Sequence, residues 1–361
     1  MKILVIHATA GAGHRKAAEA LYNSLKETTA FEVAIVDVLD YTSPFYKKLY
    51  RETYSFLIAK MPWLWGFSFV ALDIPCLLPI VQKVRRFYNS LNARPLVRYL
   101  QAENFDYILS THFFPNEVTA ALKRKGLIRS KIISMVTDFD VHRIWLAEGI
   151  DHYAVASEWT KEKLKSLGVE EGKILVSGIP TDKKFAMTRN KKELRQRLSL
   201  REDLFTVLVA TGSFGMGPIE EIIDSLREFQ VIVVCGHNKN LYARLNQKNL
   251  KNVRACGLVD NMDELMAASD AMVTKPGGLS ISEALVSHLP LIFFSAIPGQ
   301  ETNNVRVLKE YGVGISDCTA AEIAATLKKY SSSPDEYTAA IEKIKVLARP
   351  SAVEDIKSLI S

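Results

Sequence analysis

Two stretches of this chain share one design. Lys2-Ile-Leu-Val-Ile-His7 is a short apolar, β-branched run that breaks into the small-residue loop Ala8 to Gly13. Leu204-Phe-Thr-Val-Leu-Val-Ala210 breaks in the same way into Thr211-Gly-Ser-Phe-Gly-Met-Gly217. A near-continuous apolar run bounded by glycine reads as a strand buried on both faces, and such strands belong to parallel sheets covered by helices. Parallel sheets bind ligands at the carboxyl ends of their strands, where both glycine loops fall. The chain therefore reads as α/β, with two Rossmann-like domains facing each other across a cleft. Its 361 residues suit two domains, and a hydrophobic content of 48% supplies two cores.

In order, the first half reads as a strand at 2–7 and a helix from His14 through about Glu27, with Ala17, Ala18, Leu21 and Leu25 on one face. Further strands are expected at 31–37, 105–110, 131–136, 152–156 and 173–176. Ser177-Gly-Ile-Pro-Thr-Asp182 reads as the linker, followed by a charged run to Arg201. The second half reads as strands at 204–210, 230–235, 252–255, 270–274 and 291–294, a helix at 259–268, and helices at 320–330, 336–348 and 352–360. The expected domains are 1–180 and 181–340, with 341–361 packing back on the first half.

The most informative loop is Val273-Thr-Lys-Pro-Gly-Gly-Leu-Ser-Ile-Ser-Glu-Ala-Leu285. An apolar run ends in Lys275-Pro276, two glycines follow, and a helix opens. Gly277 and Gly278 admit a ligand where a Cβ would block it. The helix start offers free N–H groups and its positive dipole end, and Lys275 adds a cation. This is a cradle for an anion such as a diphosphate, and Glu283, one turn inside, is placed to accept hydrogen bonds from a ribose diol. The first loop does not complete a dinucleotide fingerprint. In Gly11-x-Gly13-x-x-Lys16 a lysine stands where the third glycine is needed, which argues against NAD.

The four cysteines are scattered, without a C-x-x-C pair, which excludes a zinc ribbon or a disulfide framework and suits a reducing cytosol. Met1 to His7 is cut short by the glycine loop and reads as a strand, not a signal peptide. Residues 42–100 break the α/β rhythm. The segment 41–100 holds nine Lys or Arg against Glu52 and Asp73, so it alone exceeds the whole chain's net +6. Tyr46, Tyr50, Tyr54 and Leu57 recur at helical spacing, with Phe45, Leu49 and Phe56 beside them and Lys47, Lys48 and Arg51 off that stripe. Met61 to Leu72 carries no charge and includes Trp63 and Trp65, but is too short to span a bilayer. Basic and interfacial aromatic residues together suit a surface of anionic headgroups, in preference to nucleic acid. The competing reading is a helical hairpin that packs its aromatics into the core.

With these residues assembled, the chain resembles the glycosyldiacylglycerol synthases: the processive diacylglycerol glucosyltransferases of Gram-positive bacteria and the plant monogalactosyldiacylglycerol synthases. The resemblance covers nearly the whole chain. It rests on Gly11-Ala-Gly-His14, Val136-Thr-Asp-Phe139, His142-Arg-Ile-Trp145, the segment Val155 to Leu164, Gly178-Ile-Pro180, Val234-Cys-Gly236, Thr274-Lys-Pro-Gly-Gly278 and Pro298-Gly-Gln-Glu301. It implies the GT-B fold, shared with the MurG transferase, and transfer of a hexose from a UDP-sugar to the 3-hydroxyl of diacylglycerol.

Residue by residue, the resemblance makes His14 the catalytic base and Asp138 the residue that orients base or acceptor. Lys275, Pro276, Gly277, Gly278, Leu279 and Ser280 become the donor diphosphate site, with Gly13 and Ser213 of the two glycine loops beside it. Glu283 becomes the ribose ligand, and Gln300 with Glu301 the pair that holds the donor sugar's hydroxyls. His142 and Trp145 are expected in the cleft. Trp63, Trp65, Lys47, Lys48, Arg51, Arg85 and Arg86 are expected to face acceptor or membrane. No Asp-x-Asp motif is present, so no metal site or obligatory cofactor is expected, and magnesium at most stimulates. The expected place is cytoplasmic, peripheral on the inner face of the membrane. Glucose against galactose stays open, with glucose favoured by the closer match to the bacterial enzymes. Rival readings are another lipid acceptor, polyprenyl-linked as for MurG, a sugar-nucleotide epimerase, and a UDP-sugar-binding regulator.

Overall fold

The computed structural model describes residues 1–9, 11–71, 73–74, 94–212, 215–316 and 318–360. Of the expected site residues, Ser213, Arg85 and Arg86 lie outside the described residues. The chain divides into two compact units. Unit 1 comprises Met1–Asp182, Ile297–Asn303 and Ser351–Ser361; unit 2 comprises Lys183–Ala296 and Asn304–Pro350.

Unit 1 is built on a six-stranded sheet: β1 Lys2–His7, β2 Glu32–Asp37, β3 Tyr107–Ser110, β4 Lys131–Met135, β5 His152–Val155 and β6 Ile174–Val176. The spatial order is β2-β1-β3-β4-β5-β6, and every pairing is parallel. Side chains alternate across β1. Leu4 and Ile6 join a cluster with Leu96, Leu100 and Phe114, while Ile3 and Val5 join Ala18, Leu21 and Leu25 on the other face. All four are fully buried, each contributing roughly 1.5–3 kcal/mol, and this fixes the strand from which the first glycine loop springs.

The helix Ala12–Thr28 covers the second of these faces. The helix Ala352–Lys357 lies against it: Ile356 enters the same cluster, and Lys357 Nζ donates to Thr28 Oγ1 at 2.7 Å.

The aromatic insertion forms two helices, Pro44–Lys60 and Pro62–Ala71. The first is started by Ser43, whose hydroxyl accepts from the Tyr46 N–H, and by Pro44 at the first helical position. Tyr46 and Tyr50 turn into the core cluster, while Phe45, Leu49 and Phe56 are exposed. In the second helix Trp63, Phe67 and Val70 are exposed at i, i+4 and i+7. The side chains of the insertion thus divide between core and surface. Tyr46 and Tyr50 pack against the core, and a separate apolar stripe faces outward. Among the described residues no helix is long and apolar enough to cross a membrane.

Unit 2 carries a five-stranded sheet: β7 Thr206–Ala210, β8 Gln230–Val234, β9 Val253–Cys256, β10 Ala271–Thr274 and β11 Leu291–Phe293. Its order is β11-β10-β7-β8-β9, again all parallel. The charged run that follows the linker contains a helix, Lys191–Arg197, that was not expected. Its charges are paired: Arg195 is buried, and both it and Lys191 bind Asp270 at 2.5 Å, ahead of β10. The helix Lys239–Lys248, capped by the Asn238 side chain, was likewise not expected.

Candidate active site

Parallel α/β sheets bind ligands where the strand order reverses, because the loops leaving two neighbouring strands there diverge and open a crevice. In unit 1 that point lies between β1 and β3. The loop after β1 leads to His14, and the loop after β3 carries Thr111 and His112. In unit 2 the reversal lies between β7 and β10, whose loops are the second glycine loop and Lys275-Pro-Gly-Gly278. Each unit therefore puts an expected functional stretch at its own switch point.

His14 is held through one nitrogen. Its Nδ1 lies 2.7 Å from the Thr111 carbonyl oxygen and 2.9 Å from Thr137 Oγ1. A carbonyl only accepts, so Nδ1 carries the proton and the neutral ring keeps its lone pair on Nε2. The Thr111 hydroxyl donates to the His14 carbonyl at 2.9 Å, tying strand end to helix start a second time. The His112 ring meets His14 edge-on, with centroids 4.6 Å apart. Burial pushes the His14 pKa down to about 4; the Thr111 hydrogen bond opposes this and His7 adds to it. The ring is thus neutral at physiological pH, with its proton fixed on the side away from Nε2.

His14 lines a cavity of about 100 Å³ together with Tyr50, Trp65, Phe69, Phe113 and Trp145, and with the polar side chains of Asp138, Asp140, His142 and Gln300. All of these belong to unit 1. Asp138 is buried, and both of its carboxylate oxygens accept from Gln300 Nε2, at 2.9 and 2.8 Å. The His14 ring is oriented by Thr111 and Thr137. Glu301 accepts from the Ile297 N–H at 2.7 Å and so braces the turn that presents Gln300.

The remaining unit 1 residues divide differently from expectation. His142 lines the cavity, but both of its nitrogens are committed: Nε2 lies 2.8 Å from the Phe69 carbonyl, and Nδ1 accepts from the Ile144 N–H. It pins the end of Pro62–Ala71, and burial lowers its pKa. Trp145 is a buried cavity wall. Trp65 lines the cavity while Trp63 is exposed. Lys47 pairs with Asp40, and the exposed Lys48 with Glu52. The Arg51 side chain is 39% exposed and is at the same time tied to the protein. Its Nε donates to the Thr9 carbonyl at 3.1 Å and its guanidinium binds Asp37 at 2.9 Å. These bonds tie the first insertion helix to the end of β2 and to the first glycine loop.

Gly66 and Gly299 explain how closely the second insertion helix approaches the turn before Gln300. A Cβ on Gly66 would stand 2.6 Å from Pro298 Cβ. Gly299 has φ +89°, and a Cβ there would stand 2.9 Å from the Phe69 ring.

In unit 2 the helix Gly278–Val286 begins at Gly277, whose N-cap position offers no side-chain hydrogen bond to the first N–H groups. Gly277 has φ −76°, and a Cβ there would meet nothing within 4 Å. Neither backbone conformation nor packing within the described residues requires glycine at 277, and the space in front of it is open. Pro276 is buried and its carbonyl accepts from Asn304 Nδ2 at 3.1 Å. Lys275, Leu279, Ser280 and Glu283 are half-buried around the helix start. Gly13 lies in the first turn of Ala12–Thr28, in unit 1, apart in sequence and unit from this cradle.

Comparison with known proteins accounts for both halves. Residues 14–181 match the family described as monogalactosyldiacylglycerol (MGDG) synthase, and residues 206–356 match the glycosyltransferase family 28 C-terminal domain. A processive diacylglycerol beta-glucosyltransferase of Bacillus pumilus is 30% identical over 325 residues, covering 87% of this chain and 82% of that protein. One of Bacillus cereus (strain ATCC 10987 / NRS 248) is 27% identical over 368 residues, covering 99% and 93%. Among solved structures, MurG of Acinetobacter baumannii shares the fold with TM-score 0.62 at 14% identity, covering 99% of this chain and 98% of that one. Anabaena Alr3699/HepE in complex with UDP-glucose does so with TM-score 0.58 at 15% identity, covering 100% and 98%.

The class follows from these matches taken with the two parallel sheets: the protein is an enzyme, a glycosyltransferase of the family 28 type with the GT-B fold. Within that class the chain belongs to the glycosyldiacylglycerol synthase family, alongside the diacylglycerol beta-glucosyltransferases of Bacillus.

Proposed function

We propose that this enzyme transfers glucose from UDP-glucose to the 3-hydroxyl of diacylglycerol, with inversion, at the inner face of the membrane. The observation that carries the reading is the His14 tautomer. With Nδ1–H held by Thr111, Nε2 is the atom available to take the acceptor's proton. The hydroxyl oxygen then attacks the anomeric carbon. The bond from that carbon to the diphosphate oxygen breaks, and its electron pair leaves with UDP. Negative charge gathers on the diphosphate, where the uncapped start of Gly278–Val286 and the Lys275 ammonium are suited to receive it. Magnesium is at most a stimulant in this scheme. Glu283 is the proposed ribose ligand and Gln300 the proposed sugar ligand.

The names of the Bacillus relatives support diacylglycerol as acceptor and glucose as sugar, and the UDP-glucose complex of a structural neighbour supports the donor class. The exposed Trp63, Phe67 and Val70, with Phe45 and Leu49, supply apolar contact for a bilayer, and Lys48 supplies charge for anionic headgroups. The test is transfer from labelled UDP-glucose, UDP-galactose and UDP-N-acetylglucosamine to dioleoylglycerol in anionic vesicles. A labelled glucolipid from UDP-glucose alone is the expected result. Label in a galactolipid moves the donor, and binding of UDP-glucose without any labelled lipid removes diacylglycerol as acceptor.

A further inference from the structure

The contact between Gln300 and Asp138 has a consequence for donor choice. An ionised carboxylate accepts hydrogen bonds and donates none. Nε2 of Gln300 approaches both oxygens of Asp138, at 2.9 and 2.8 Å, and this fixes which way round the amide stands. Turned over, Gln300 would set its own carbonyl oxygen against a buried carboxylate. The backbone gives the side chain little other freedom. Glu301 holds the Ile297 N–H, the Gly299 N–H donates to Thr302 Oγ1, and the Phe69 ring closes over Gly299. Oε1 of Gln300 is therefore the amide atom left to a ligand, in a cavity that also contains His14.

We propose that Asp138 is a positioning residue that locks the Gln300 amide, so that Gln300 presents a hydrogen-bond acceptor to a sugar hydroxyl of the donor. The site then reads a hydroxyl by accepting its proton, and a sugar whose hydroxyl is turned away at that carbon leaves Oε1 unpaired. This rests on the proposal that a UDP-sugar is the donor, but not on the identity of the lipid acceptor. Asp138 acts on donor selection through Gln300, whereas proton removal belongs to His14.

The test uses the full chain and measures binding of UDP, UDP-glucose and UDP-galactose by calorimetry, with steady-state transfer in parallel. In Asp138→Asn the pair can form either way round. Its affinity for the preferred UDP-sugar is expected to fall about tenfold relative to UDP, and its preference between the two epimers is expected to collapse. The donor KM rises more than kcat falls, and the acid limb of kcat stays where it is in the wild type. Gln300→Glu sets two carboxylates face to face and is expected to bind UDP-sugar no better than UDP. The double variant Asp138→Asn with Gln300→Glu restores one donor against one acceptor, and is expected to recover most of the lost affinity. A double variant no better than Gln300→Glu overturns the proposal, as does an Asp138→Asn enzyme that keeps its epimer preference or shifts its acid limb. Thermal unfolding of each variant separates these outcomes from a failure to fold. Wild-type protein that binds no UDP-sugar overturns the donor reading and this inference together. Wild-type protein that binds UDP-sugars without labelling diacylglycerol overturns only the acceptor, and the swap is then judged from binding.

Discussion

The Nδ1 atom of His14 and the carbonyl oxygen of Thr111 stand 2.7 Å apart, although 97 residues separate them in the chain. The bond leaves Nε2 as the basic atom, and burial lowers its pKa to about 4. The acid limb of kcat/KM is accordingly expected well below pH 6.5, and His14→Ala is expected to lose at least 100-fold in kcat. A pH profile from 4 to 8 decides the first point; a limb centred near 6.5 would contradict a desolvated, neutral imidazole.

The same depressed pKa bears on stability. Between about pH 6.5 and about pH 4 the unfolded chain binds a proton at His14 that the folded chain does not. Stability from this residue is fully present above the unfolded pKa and is lost as pH falls through the folded one. Urea unfolding at pH 7 and pH 4.5 should show a smaller difference for His14→Gln than for the wild type.

Thr137 Oγ1 shares the Nδ1 proton at 2.9 Å. Replacing it by valine removes one hydrogen bond at nearly constant shape, worth about 1 kcal/mol, so kcat is expected to fall roughly fivefold. Thr137→Ser should restore it. Equal kcat in Thr137→Val and wild type would leave Thr111 as the sole anchor.

Arg51 joins the first insertion helix to the loop ahead of His14 through Thr9 and Asp37. Arg51→Lys cannot reproduce two bonds from a planar fork, and is expected to destabilise by about 1 kcal/mol and to slow turnover. Lys48→Glu, at an exposed site, should leave stability within about 0.5 kcal/mol and instead weaken binding to anionic vesicles. Melting curves and vesicle sedimentation read both effects; the reverse pattern would exchange the roles of Arg51 and Lys48.

Gly66 lies too near Pro298 for a methyl group. Gly66→Ala is expected to cost about 1–3 kcal/mol, as overpacking does, and to lower kcat by shifting the turn that carries Gln300. Trp63→Ser, on the exposed side of the same helix, should spare the melting temperature and reduce vesicle binding. Loss of melting temperature in Trp63→Ser with none in Gly66→Ala would invert the assignment of the helix's two faces.

The strands were readable because each is a contiguous apolar run, and observed and expected limits differ by a residue or two. The glycine-flanked helix start at 277–278 was readable for the same reason: its loop, cap and first turn are neighbours in sequence. Lys191–Arg197 was missed because its hydrophilic residues read as a charged run after the linker. Only the neighbouring Asp270, far along the chain, shows why Arg195 is buried there. The partners of Arg51 are hidden in the same way, since a cation at helical spacing carries no sign of the carboxylate it pairs with.

The amino-acid sequence by itself determined two parallel α/β halves, their glycine loops and the candidacy of His14 and of the Lys275 cradle. Periodicity and turn chemistry are local properties, and local residues suffice to encode them. Only the tertiary structure decided that Thr111 and Thr137 hold the His14 ring, that Asp138 faces Gln300 across 162 residues of chain, and that Tyr46 turns inward while Trp63 turns out. Those relationships depend on which strands become neighbours, because strand order sets which carboxyl-end loops meet. A hydrogen bond acts only over about 3 Å, so its partner is chosen by that order and not by distance along the chain.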